Sequence, residues 1–209
     1  MSFAFAEPEP RPSVMTVPRG PYTADDLDEL PDDGNRYEVL GGWISVSPAP
    51  GLQHQRAVSR LDRLIASLLP EGTEAVPGTG LYLDDGDCSI PDLLVMTIEP
   101  RPEADKLPVA MAHTVVEVVS PSHAVMDRVD KRDLYAVHGI PCYWRLERWR
   151  WRGYQGRTPA LVVGLLRYGA WQETVYPAGA VADIPLVIGR QPGDVLSVKL
   201  DPATLVPGD

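Results

Sequence analysis

Residues 113–122 read HTVVEVVSPS, four valines flanking one glutamate and then a Ser-Pro turn. Val115, Val116, Val118 and Val119 are β-branched, and a run apolar at odd and even positions alike belongs to a strand covered on both faces. Such a strand lies inside a sheet, with layers above and below it. Glu117 interrupts the run, and a buried carboxylate is costly unless something compensates it. The fold must therefore be layered, and it must bring a cation or a proton to Glu117.

The rest of the chain supplies elements for such layers. Thr23 and Asp26 in YTADDLDELPDDG form a start resembling a capping box, and Pro31 and Gly34 end that short helix. RYEVLGGWISVSP predicts two strands around a Gly41-Gly42 turn. Val58, Leu61, Ile65 and Leu68 recur at helical spacing. TEAVPGTGLYLDDGDCSIPDLLVM predicts short strands broken at Pro77-Gly78 and at Asp84–Asp87, with LLVM itself a strand. Glu99 to Pro108 reads as a charged loop containing proline. HAVMDRVDKRDLYAVHG predicts a helix ending at Gly139, with Pro141 beyond. CYWRLERWRWRGYQG and PALVVGLLRYGAWQETVYP predict antiparallel strands, and LVIG and VLSVKL possible edge strands. This order gives a mixed α/β (α+β) chain with few helices and a C-terminal antiparallel extension. The expected organisation is an extended, proline-rich tail over 1–20, one domain over 21–200 and a C-terminal tail over 201–209.

Composition narrows the partners. With 29 acidic against 19 basic side chains the net charge is −10, which disfavours attraction to nucleic acid over the whole surface and leaves room for a local basic patch. Cys88 and Cys142 are in no metal spacing and read as free thiols of a reducing cytoplasm. No signal peptide and no membrane-spanning run is expected. There is no HExxH, no GxSxG elbow and no GxxxxGK[ST] loop.

Two carboxylates suggest chemistry. Asp92 follows Pro91 and shares a strand face with Leu94 and Met96, and Glu117 stands on a strand able to pair beside it. Two inward carboxylates need a cation between them, or one must hold a proton. Hard oxygen donors at a strand end suit Mg²⁺, with Mn²⁺ as substitute. On the following helix Asp127, Lys131 and Tyr135 share a face. Lys131 either pairs with Asp127 in solvent or reaches the carboxylates, and the helix alone leaves both open.

The ordered set RYEVLGGWISVSP, HQRAVSRL, IPDLLVM, TVVEVVSPS and DRVDKRDLYAVHGIPCYW resembles the Uma-type family of restriction endonucleases, within the PD-(D/E)XK phosphodiesterase superfamily. The resemblance runs from Tyr22 to Trp144 and more loosely beyond. It implies a restriction-endonuclease-like core, a mixed central sheet flanked by helices. It implies an Mg²⁺-dependent endonuclease acting on nucleic acid, DNA in the first place. Asp92 and Glu117 would be metal ligands, with the backbone carbonyl of Val118 a further one, and Glu38 the upstream acid. The superfamily lysine two residues after the second acid is here Val119, and Lys131 on the next helix takes its place. His54 matches a histidine of the family pattern; it could bond a phosphate or a site carboxylate, or only cap its helix. Tyr135 would pack with its hydroxyl at the site rim.

The arginine-rich segment from Arg145 to Arg157 reads as a strand. Arg148, Arg150 and Arg152 would face one way and Trp149 and Trp151 the other. Arginines there could hold phosphates and tryptophans could stack on bases. Equally, the tryptophans could lie in the core or in a homodimer interface, with the arginines in water. The alternative to an enzyme is a non-catalytic module that binds nucleic acid or protein and keeps the fold, with Glu117 and Lys131 as a structural pair.

Overall fold

The computed structural model describes residues 21–98 and 106–206. The tail expected over 1–20, most of the loop expected over 99–108 and residues 207–209 lie outside these.

A six-residue 3₁₀ turn, Ala24–Glu29, stands where the first helix was expected, with the Thr23 amide donating to Asp26 Oδ2 at 2.6 Å. Strands β1 (Arg36–Leu40) and β2 (Trp43–Ser47) form the hairpin around Gly41 and Gly42. Both glycines have positive φ, 60° and 75°, the conformation that a two-residue hairpin turn of matching twist requires. Helix α1 (Leu52–Ala66) buries Ala57, Val58, Leu61 and Ile65 along one face, each of the larger three contributing roughly 1.5–3 kcal/mol.

Strands β3 (Thr73–Pro77), β4 (Gly80–Asp84), β5 (Asp87–Ser89) and β6 (Leu93–Thr97) follow. A three-residue strand, β7 (Lys106–Pro108), occupies the end of the expected loop and pairs parallel with β4. The valine run is β8 (Ala112–Val118), buried at every position. The helix after it has two parts. Met126–Asp130 is a π-helical turn, in which the Lys131 amide reaches back five residues to the Met126 carbonyl, and α2 (Lys131–Val137) continues it. Strands β9 (Cys142–Glu147), β10 (Ala160–Arg167) and β11 (Ala170–Pro177) follow, β10 antiparallel to β9 and β11 antiparallel to β10.

Six strands form the main sheet in the order β11-β10-β9-β8-β6-β3, mixed because β8 and β9 are parallel. Val116 and Val118 face a core shared with α1, whereas Val115 faces a second core with Leu81, Leu83 and Tyr135. The second core lies under a five-stranded sheet in the order β2-β1-β5-β4-β7. The double-sided burial read from the valines thus comes from a helix on one side and a sheet on the other.

Two expectations are corrected. β12 (Ala182–Val187) and β13 (Val195–Leu200) are not edge strands of a larger sheet; they form a two-stranded sheet of their own. Ile184, Leu186, Val198 and Leu200 are buried against the α1 side of the main sheet, and Trp144 Nε1 donates to the Pro185 carbonyl at 3.0 Å. Nor is residue 201 the start of a tail. Pro202–Thr204 is a 3₁₀ turn that puts Leu205 in the same core, 2% exposed. The expected mixed α/β class with few helices is the observed one.

Candidate active site

Alternation along β8 turns Glu117 toward the second core, the side occupied by the five-stranded sheet and α2. On β1 the same alternation gives Arg36 and Glu38 one common face. These two strands, the residue just before β6 and the two helices enclose a cleft of about 480 Å³, whose lining includes Glu38, His54, Asp92, Glu117, Asp127 and Lys131.

Lys131 is at its centre. Its Nζ lies 2.9 Å from Glu117 Oε1 and 2.9 Å from Glu38 Oε1, and the residue is 4% exposed. The reading of Lys131 as a solvated partner of Asp127 is therefore overturned: both residues are buried, and the ammonium is used by the two glutamates. Glu38 Oε1 also accepts the Ile90 amide at 2.7 Å, and Tyr135 donates its hydroxyl to Glu117 Oε1 at 3.2 Å. Tyr135 is not at the rim as expected; it is 0% exposed and also reaches Ser89 Oγ. Tyr143 of β9 pins the π-helical turn by donating to the Asp127 carbonyl at 2.8 Å.

Asp92 is held from three sides. Arg36 donates to Oδ1 at 3.0 Å, while His54 Nε2 and the Val118 amide meet Oδ2 at 2.9 and 2.8 Å. His54 thus contacts a site carboxylate from the first turn of α1, and its Nδ1 is buried without a partner among the described residues.

The electrostatics follow from this crowding. Burial pushes the Glu117 carboxyl well up, and Asp92, Asp127 and Glu38 push the same way against the pull of Lys131. Burial, opposed by Lys131 and aided by neighbouring acids, raises Asp127 to about 7. For Asp92, burial is outweighed by the hydrogen bond and charge of His54, the Val118 amide and Lys131, and the net direction is down. Burial works against the charge on Lys131, but Glu117 and Glu38 overcome it and hold the ammonium protonated. Four carboxyl groups, Glu38, Asp92, Glu117 and Asp127, line the cleft, and Lys131 and Arg36 pair with three of them, Glu38, Glu117 and Asp92. With Arg148 also lining the cleft, the carboxyl groups outnumber the fixed cations by one, and burial meets that excess by pushing Glu117 and Asp127 toward their protonated forms.

Asp92, Glu117, Lys131, Glu38, His54, Tyr135 and the Val118 backbone, all singled out in the sequence, come together here. Arg148 lies at the mouth of the same cleft, but Arg150 does not line it and is exposed. The strand expected through these arginines ends at Glu147, because β10 begins at Ala160 and pairs with Glu147, leaving later residues no ladder partner. The tryptophans divide accordingly. Trp144 is fully buried in the core, Trp151 stacks on Tyr154 at 4.0 Å, and Trp149 is 45% exposed.

Three residues of the cleft were not anticipated. Arg36 stands two positions before Glu38, so strand alternation could have found it. His123 and Ser47, whose Nε2 and Oγ are 3.0 Å apart, meet across 76 positions and left no local signal.

Comparison with known proteins agrees with this architecture. The Uma2 family, described as putative restriction endonuclease, matches residues 24–198. A crystal structure of a putative nuclease belonging to DUF820 from Anabaena variabilis superposes with a TM-score of 0.61 at 22% identity, covering 79% of this chain and 90% of that one. No curated protein matches the sequence.

Proposed function

Because this chain belongs to the Uma2 family, we propose that it is a metal-dependent endonuclease, hydrolysing phosphodiester bonds of nucleic acid, DNA in the first place, with water as nucleophile. The observation that carries this reading is Lys131, buried 2.9 Å from two glutamates in a cleft that Asp92 and Asp127 also line. Carboxylate and carbonyl oxygens are the donors that a hard divalent cation, Mg²⁺ or Mn²⁺, takes, and such an ion would favour the ionised form of the carboxyls that burial pushes up. Asp92, Glu117 and the Val118 carbonyl would hold it. Bound there, the ion supplies a Lewis acid for the phosphate and lowers the pKa of a water.

The chain's own groups divide the remaining work. The Lys131 ammonium, kept charged by Glu38 and Glu117, offsets negative charge that builds on the phosphoryl group. Tyr135 fixes the Glu117 oxygen that Lys131 also holds. The Val118 amide and His54 orient the Asp92 carboxylate. Arg148 at the mouth meets phosphate. In this reading residues 21–206 act as one nuclease-like domain. The free, buried thiols of Cys88 and Cys142 suit a cytoplasmic setting. Among the described residues no helix is long and apolar enough to cross a membrane.

The homodimer stays in the proposal with a new contact. Trp144 is used up in the core, so the arginine-tryptophan segment no longer argues for it. β2 is the outer strand of the five-stranded sheet and leaves Trp43 64% exposed, an edge suited to a second copy.

One observation favours the non-catalytic module: the Lys131, Glu38, Glu117 and Asp92 side chains already form ion pairs with one another or with Arg36 and His54. The test is incubation of single- and double-stranded DNA and RNA with Mg²⁺ or Mn²⁺, using wild type and Asp92→Asn. Cleavage by wild type alone supports the nuclease. No cleavage of any substrate, with no saturable Mn²⁺ heat, leaves the binding module.

A further inference from the structure

The cleft changes character from floor to mouth. Its floor is charged, with Asp92 5% and Glu117 4% exposed, so the reacting groups lie beneath the surface. Its mouth includes Pro50, Leu52 and Trp149, apolar side chains that offer nothing to a phosphate. Leu52 is 71% and Trp149 45% exposed. The Arg148 guanidinium stands 4.6 Å from the Trp149 ring centroid, and its Nε is buried without a partner among the described residues. In the same lining, His123 bonds Ser47 through Nε2 and Ser120 and Ser122 through Nδ1, at 3.0–3.2 Å.

We infer that this mouth takes an unpaired nucleotide, its base stacked on Trp149 and its phosphate held by Arg148 and the hydroxyls around His123, so that the substrate is single-stranded nucleic acid. The inference rests on the nuclease reading and narrows it. An aromatic face beside an arginine binds any base by stacking, provided the π-face of the base is free. Inside a duplex that face is covered by the neighbouring pairs. A cleft of about 480 Å³ is of small-ligand size, and a strand must enter it to bring a phosphate down to Asp92 and Glu117. A net charge of −10 gives little of the broad phosphate attraction that a duplex surface uses. Stacking supplies affinity that charge does not.

The experiment is fluorescence anisotropy in EDTA with three labelled probes: a single-stranded DNA 12-mer, its duplex, and the same strand with abasic sites at its centre. An RNA 12-mer is the fourth arm, since stacking is common to both sugars. Wild type should bind the single strand roughly tenfold more tightly than the duplex or the abasic strand. Trp149→Ala should lose about that factor on the intact strand and little on the abasic one, whereas Trp149→Phe should stay within about threefold of wild type. Melting curves check that each variant is folded. Equal affinity for duplex and single strand, or an equal loss on abasic and intact strands, overturns this inference and leaves the nuclease reading standing. No binding of any probe also overturns this inference, and the cleavage assay with Mg²⁺ or Mn²⁺ then decides the nuclease reading separately.

Discussion

Replacing Lys131 with methionine keeps most of the side-chain volume and removes the ammonium. It leaves Glu38 and Glu117, each 4% exposed, without the charge that both contact at 2.9 Å. Breaking a buried pair by removing one partner costs about 3–5 kcal/mol. The protein can limit this by protonating Glu117, which burial and three neighbouring acids already push up and which only Lys131 holds down among the causes at work there. Keeping one carboxyl neutral costs about 1.4 kcal/mol for each pH unit above its ordinary value near 4.3, hence roughly 4 kcal/mol at pH 7.5 and under 2 at pH 5.5. The sign is fixed by the direction of the shift. In the folded variant Glu117 binds its proton more tightly than in the unfolded chain, so stability is present at low pH and is lost as the pH rises. Urea unfolding of wild type and Lys131→Met at pH 5.5 and 7.5 should show both proteins losing stability as the pH rises, because the Glu117 carboxyl is pushed up in each, and Lys131→Met losing more, because Lys131 is the group that holds that carboxyl down. A gap below about 1 kcal/mol at pH 7.5 would refute the placement of Lys131 between two buried acids. The result also bears on activity assays: a variant made to test the lysine's chemistry must be compared below its own melting range.

Glu117→Gln has the shape of the protonated carboxyl that burial favours and leaves Lys131 paired with Glu38, so in EDTA its melting temperature should equal or exceed that of wild type, whereas the Mn²⁺ heat in calorimetry should vanish; unchanged Mn²⁺ affinity would remove Glu117 from the ligand set. Asp127, raised from 3.8 to about 7 by burial, makes the folded state favour its proton, so stability should decline as the pH rises through that interval and level off above it. Asp127→Asn should flatten that decline, and an identical pH profile would show that Asp127 does not titrate there. Light scattering at tens of micromolar should give a dimer for wild type and a monomer for Trp43→Arg; a wild-type monomer ends the β2-edge proposal.

What could be read from the sequence was what repeats locally. The uninterrupted valines around Glu117, the Gly41-Gly42 turn and the helical spacing of Val58, Leu61 and Ile65 each carry their own geometry. β7 was hidden because three residues ending in a proline have no period, and only the parallel pairing with β4 makes them a strand. The Arg148–Arg152 alternation failed in the opposite way: it has the period of a strand but no partner to pair with. β12 and β13 were seen as strands, but their place over the α1-side core depends on side chains such as Trp144 and Thr114 bonding their backbone. In the site, Asp92, Glu117 and Lys131 were found from order and spacing. Lys131 could not be placed from its helix alone, because Asp127 at i−4 offers an equally good partner on paper; the burial of both decides it. His123 lies on no repeating face and gained its neighbours only through folding.

The π-helical turn over Met126–Asp130 sets a constraint of a different kind. A lysine carried on a strand reaches its site by parity, one residue up or down. A lysine carried on a helix reaches it by phase, and each added or deleted residue turns the helix by about 100°. The segment from Ser120 to Lys131 should therefore tolerate changes of side chain far better than changes of length. One residue inserted after Asp130 would swing Lys131 and Tyr135 away from Glu117 together, leaving every side chain of the site present in the chain and the site itself dismantled.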